Sequence, residues 1–227
     1  MPALLNTVDP EGLEEFSVVF TDRSLNHMSA AFQGVMRDIS AMLKEVYNAE
    51  AVAVVPGGGT FGMEAVARQF ARGVDVLVVR NGWFSYRWSQ IIENGDLTGN
   101  ATVLKARMQG NSTPAPFAPC PIDEVLEAIR AQKPKVVFAP HVETSAGVIL
   151  PDDYIKQMAE AAHEVGALMV LDSIASGCAW VDMKALGIDV LISAPQKGWS
   201  ASPSAGLVMM SARAVARLAE TTSDSFA

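Results

Sequence analysis

Cysteine, histidine and positive charge are all scarce in this chain. Only two cysteines occur, Cys120 and Cys178, too few for a disulfide scaffold or a thiolate metal site, so a reducing compartment is expected. The three histidines show no ligand spacing and point to no metal. Lys and Arg total 17 against 25 acids, a formal net charge of -8, which argues against nucleic acid as a partner because phosphate backbones need a basic face. No apolar run approaches the roughly 20 residues that a membrane helix needs. The opening MPALLNTVDPEGLEEF carries acids where a signal peptide has a basic flank and an apolar stretch. A cytoplasmic protein without membrane or nucleic-acid partners is the expectation. Internal repeats and low-complexity tracts are absent as well.

What is present is a rhythm. Half of the 227 residues are apolar and 19% are charged, enough for a full core. Seven short β-rich runs stand at 51–55, 75–79, 101–105, 135–139, 167–171, 188–193 and 205–210. Helix-length segments at 60–72, 84–93, 122–131 and 152–165 lie between them, and an amphipathic helix over 29–47 precedes them. The runs are continuously apolar rather than alternating, as parallel strands covered on both faces by helices require. An α/β fold follows: a mostly parallel seven-stranded sheet with helices on both faces. Only residues 194–204 join the last two runs, too few for a crossover helix, so the last strand should be antiparallel. Residues 1–25 read as an N-terminal arm and 26–227 as one large domain.

In open α/β sheets, ligands bind beyond the carboxyl ends of the strands. Four such ends carry unusual residues: Pro56-Gly57-Gly58-Gly59-Thr60, His141-Val142-Glu143-Thr144-Ser145, Asp172-Ser173 and Gln196-Lys197. Taken singly, each has a plain reading as a tight turn, a capping acid or a solvated lysine. The glycines also admit a phosphate cradle, since backbone N–H groups approach an anion closely there and Thr60 opens a helix. No Gly-Lys-Ser/Thr follows, so this is not a P-loop. The letters Gly57-x-Gly59-x-x-Gly62 satisfy the dinucleotide spacing, but the acid expected about 20 residues on is replaced by Val78-Val79-Arg80-Asn81. A nucleotide-binding module therefore stays open beside a second reading. A cradle, a strand-end Asp and a turn Lys together supply an anion site, a carboxylate for a pyridine nitrogen and an amine for an aldehyde, which are the needs of pyridoxal phosphate.

The segments PGGGTFGMEA, NGWFSYR, HVETSAGV, LDSIAS and SAPQKGW, in this order and near this spacing, resemble those of class V aminotransferases of fold type I, in the alanine–glyoxylate and serine–pyruvate branch. The resemblance covers residue 26 to the end and corresponds to the family's large domain. It implies Lys197 as the residue that carries pyridoxal phosphate as a Schiff base, and Asp172 as partner of the pyridinium nitrogen. It implies Gly58, Gly59 and Thr60 around the phosphate with Gln196 near it, and Phe84, rather than the adjacent Trp83, stacked on the ring. Thr144 would bond near the ring hydroxyl and Ser173 would help to place the ring, while His141 is read as structural. The activity implied is transamination between an alanine- or serine-type donor and glyoxylate or pyruvate, in a homodimer. It also implies a small C-terminal domain beyond Ala227 that carries the substrate's carboxylate-binding arginine. A lyase or cysteine desulfurase on the same fold is the alternative; such relatives carry His before the lysine, where Gln196 stands here.

Overall fold

The computed structural model describes residues 28–221 and 223. The chain divides into two compact units, Met1–Met42 and Leu43–Ala227. In the first, the described residues are the opening turns of α1 (Ala30–Tyr47), where Ser29 Oγ accepts the Phe32 N–H at 3.1 Å, as a helix start in need of a cap requires. The expected arm, residues 1–25, lies outside the described residues.

The second unit is an open α/β sheet. Its elements run β1 (Ala51–Pro56), α2 (Gly59–Phe70), β2 (Val76–Arg80), α3 (Tyr86–Asn94), β3 (Ala101–Lys105), β4 (Arg107–Met108), β5 (Phe117–Ala118), α4 (Ile122–Gln132), β6 (Val136–Pro140), β7 (Val142–Glu143), β8 (Val148–Ile149), α5 (Asp152–Glu164), β9 (Leu168–Asp172), α6 (Met183–Leu186), β10 (Val190–Ser193), β11 (Ala205–Met210) and α7 (Ala212–Leu218). Seven strands form one sheet in the order β1-β11-β10-β9-β6-β2-β3. Neighbours are parallel from β10 through β3, and β11 is antiparallel to both β10 and β1. The sequence expectation of a mostly parallel seven-stranded sheet with an antiparallel last strand holds. Because β11 opposes both of its neighbours, β1 still runs with the other five, and its carboxyl end falls on the same edge as theirs.

Alternation along the central strands explains why they read as unbroken apolar runs. Val76, Val78, Phe138, Val170 and Ile192 share one core with Met63, Val66 and Phe70 of α2 and with Trp88 and Ile92 of α3. Leu77, Val79, Val137, Met169 and Leu191 are buried as completely; strand geometry turns them to the opposite face, where α5 packs on β9. With both faces covered, every position must be apolar. Trp88 and Phe138 anchor the first core with ring centroids 4.4 Å apart.

Elements absent from the sequence reading are the shortest ones. The pairs β4–β5 and β7–β8 have two residues per strand, and α6 has four residues, so no periodicity precedes them in the sequence.

Candidate active site

The glycine loop after β1 owes its shape to three different constraints. Gly57 has φ +121, a conformation open essentially to glycine. At Gly59 a Cβ would fall 2.5 Å from Ile174 Cδ1, so this glycine lets α2 close on the segment after β9. At Gly62 a Cβ would sit 3.1 Å from Ile192 Cγ2, and one at Gly206 would sit 2.8 Å from Gly62 N. The third glycine of the dinucleotide-like spacing therefore packs α2 on β11. The N-cap of α2 is Gly58, in extended conformation, and no side chain caps the helix. An uncapped helix N-terminus with its amides forward is suited to an anion.

Beside that N-terminus lies a cavity of about 170 Å³. Of the sequence-predicted residues, Gly59, Thr60, Phe84, Thr144, Asp172, Gln196 and Lys197 line it. They come from the ends of β1, β2, β6, β9 and β10, so the sheet edge gathers them as strand direction requires. Gly58 and Ser173 stand outside the lining. Gly58 O accepts the Phe61 and Gly62 amides, and buried Ser173 bonds Ser176 Oγ at 2.7 Å. Phe84 borders the cavity, whereas Trp83, 62% exposed and 6.0 Å from the Tyr86 ring, is not in its lining and borders the neighbouring cavity with Thr60. His141 is buried and its Nδ1 pairs with Ser176 Oγ at 2.7 Å; burial lowers its pKa, with Asp152 opposing.

Asp172 is the electrostatic centre. It is 7% exposed, and its Oδ1 accepts the Ile174 N–H at 3.0 Å. Burial pushes its pKa up to about 7; that hydrogen bond opposes the rise, and the charge of Glu143 adds to it. Burial thus favours its neutral form, and a cation placed beside it would favour the carboxylate.

Sequence reasoning missed two residues. Glu143 is fully buried and fastens the loop that carries Phe84: it accepts the Ser85 hydroxyl at 2.6 Å, the Ser85 N–H at 2.9 Å and the Phe84 N–H at 3.1 Å. Burial raises its pKa, and the bonds from Ser145, Ser85 and the two amides outweigh that, so the net shift is downward. A Cβ on Gly82 would come within 2.8 Å of Glu143 Cδ, which explains the glycine in Asn81-Gly82. The other is Arg87, which lines the cavity with its Nε shut off from solvent and without a hydrogen-bond partner among the described residues. Its sequence signal was a basic residue in the first turn of a helix, where the helix dipole disfavours one.

An open, mostly parallel sheet with an amine, a buried carboxyl and an uncapped helix N-terminus at one strand-end cavity defines an α/β protein with a candidate anion site. The chain belongs to the class-V aminotransferase family, whose model matches residues 13–223. It is 31% identical over 194 residues to the soluble hydrogenase 42 kDa subunit of Anabaena cylindrica, covering 84% of this chain and 48% of that protein. It is 29% identical over 196 residues to the L-aspartate–glyoxylate aminotransferase of Paracoccus denitrificans, over 85% of this chain and 48% of that protein. The crystal structure of ureidoglycine–glyoxylate aminotransferase from Bacillus subtilis superposes with a TM-score of 0.76 at 26% identity, over 89% of this chain and 50% of that one. The chain spans about half the length of the curated relatives it matches.

Proposed function

We propose that residues 26–227 form the pyridoxal phosphate-binding large domain of an aminotransferase. In this reading it moves an amino group from an alanine- or serine-type donor to a small 2-oxo acid such as glyoxylate or pyruvate. The observation that carries the reading is the single cavity lined by Lys197, Asp172, Thr60 and Phe84. Glyoxylate transaminase names among the relatives support the reaction class.

Three features of the residues present fit this cofactor. The uncapped α2 N-terminus suits its phosphate. Asp172, buried beside one backbone donor, suits a protonated ring nitrogen. The exposed Lys197 and Gln196 turn opens onto the cavity between them. When bound, pyridoxal phosphate supplies an electron sink for a carbanion at the substrate's α-carbon.

Each residue then has a task. Lys197 would hold the cofactor through its side-chain amine and, as an acid–base group, would move the proton at the substrate's α-carbon. Asp172 would pair with the ring nitrogen and favour its protonated form. Gly58, Gly59 and Thr60 meet the phosphate through backbone amides, with Gln196 beside them. Phe84, fixed by the grip of Glu143 on its N–H, would stack on the ring, and Thr144 and Ser173 would help to place it. Gln196 before the lysine, in place of His, favours transamination over the desulfurase alternative. The working form is a cytoplasmic homodimer.

Borohydride reduction of the cofactor-loaded protein followed by peptide mapping tests the central assignment. Label is expected on Lys197; label on Lys184 or Lys156 instead would overturn it. A panel of amino donors with glyoxylate and pyruvate then identifies the substrates.

A further inference from the structure

Arg87 sits where local electrostatics disfavour it. It is the second residue of α3, in a first turn that contains no acid, and a cation there opposes the helix dipole. Several other arginines have carboxylate partners, Arg68 with Glu64 at 2.7 Å, Arg130 with Glu164 at 2.8 Å and Arg217 with Glu220 at 3.4 Å, and Arg80 instead lies 4.9 Å from the Tyr86 ring and bonds Ser89 Oγ at 3.4 Å. Among the described residues the Arg87 guanidinium has no ion pair, and its Nε is closed to solvent with no hydrogen-bond partner. Nε is the one nitrogen of this half-buried guanidinium so enclosed, and a donor shut from water without an acceptor is costly.

Its position says which anion the guanidinium awaits. Arg87 lines the strand-end cavity, and with Thr60 it also borders an adjoining open cavity of about 340 Å³. It therefore stands at the α2 end, next to the uncapped helix N-terminus. That N-terminus supplies dipoles but no full charge. Of the two cations in the cavity lining, Lys197 is committed to the aldehyde in the reading above. Asp172 is an acid in the same wall, and buried Glu143 acts on it electrostatically. A phosphate dianion placed there needs a fixed positive charge, and the planar fork of arginine matches phosphate oxygens two at a time.

We infer that Arg87 is a phosphate-binding residue of this cavity, pairing the cofactor's phosphate from the α3 side while the α2 amides hold it from the other. This rests on the pyridoxal phosphate reading and adds to it the residue that supplies the charge. The rival role for Arg87 is a structural one, as a second partner for Glu64. That acid borders the adjoining cavity too, but Arg68 already holds its Oε1 through Nε at 2.9 Å and through the terminal nitrogen at 2.7 Å.

The test compares two ligands that differ only in the phosphate. The intact protein, freed of cofactor, is titrated with pyridoxal phosphate and separately with pyridoxal, followed by visible absorbance and tryptophan fluorescence. Arg87→Gln should weaken pyridoxal phosphate roughly tenfold to hundredfold, the loss of a charge-assisted contact, and leave pyridoxal unchanged. Inorganic phosphate should compete with pyridoxal phosphate in the parent and compete more weakly in the variant. Arg87→Lys should recover part of the lost affinity. An equal loss for both ligands would overturn the inference, as would the same loss in Glu64→Gln. If Arg87→Gln does not fold, the ratio of the two affinities in Arg87→Lys decides: a ratio shifted towards pyridoxal supports the inference and an unchanged ratio sinks it. A parent protein that binds neither ligand would instead remove the pyridoxal phosphate reading itself.

Discussion

Two aspartates, at opposite ends of the sheet, show how burial divides into structure and chemistry. Asp189 immediately precedes β10 and is 2% exposed; Asp172 closes β9 and is 7% exposed. Asp189 is surrounded by donors: Met169 N–H at 2.9 Å and His163 Nε2 at 2.8 Å on Oδ2, and Ser211 Oγ at 2.9 Å on Oδ1, with Arg213 Nε 4.0 Å from the same oxygen. It ties α5, β9 and the start of α7 together. Asp172 accepts one backbone N–H and faces a cavity. A buried carboxylate with its lone pairs filled belongs to the fold, whereas one left short of donors beside a cavity awaits a cation from outside the chain.

The sharpest way to break this contrast is to neutralise both acids. Asp172→Asn should lower turnover of the cofactor-loaded protein by roughly a hundredfold to a thousandfold, the scale for losing one preorganised electrostatic contact, while cofactor affinity falls far less. Near-normal turnover would make Asp172 a capping acid like any other.

The second expectation concerns pH and the cofactor-free form. Burial holds the folded pKa of Asp172 at about 7 against an ordinary 3.8. The folded state therefore keeps a proton that the unfolded chain has already released. Its contribution to stability is complete below about pH 4 and is lost as pH rises towards 7. A rise of roughly three units, at about 1.4 kcal/mol each, bounds the effect near 4 kcal/mol. Thermal melts of cofactor-free protein across this range should show a decline that Asp172→Asn abolishes. A parent and variant with parallel pH profiles would mean that Asp172 is ionised without help.

Asp189→Asn should act in the other register. Placing an amide among the Met169, His163 and Ser211 donors leaves at least one of them unmatched, a cost of about 1–3 kcal/mol read as a lower midpoint in denaturant. Cofactor affinity and the visible spectrum should stay as in the parent. A spectral change with intact stability would erase the distinction between the two ends of the sheet.

Much of the site was legible because fold type and chemistry both leave local marks. Asp172 follows five apolar residues, Lys197 lies in a Ser- and Pro-rich turn, and the glycines follow β1 directly. Strand direction alone then brings these ends together. The glycine spacing was less transparent: Gly57-x-Gly59-x-x-Gly62 satisfies a dinucleotide pattern, yet Gly62 is a glycine because Gly206 and Ile192 crowd it from β11 and β10. No reading of neighbouring letters contains that contact.

The sequence by itself determined the seven strands, their shared direction, the antiparallel return over residues 194–204 and the acid, amine and glycine loop at the strand ends. It did so because each depends on local composition or on connection length. Tertiary structure alone decided that Glu143 grips the loop carrying Phe84, that Gly59 yields to Ile174, and that Arg87 has no carboxylate partner among the described residues. These follow from distances between residues far apart in the chain, and such distances exist only once the sheet has closed its core around them.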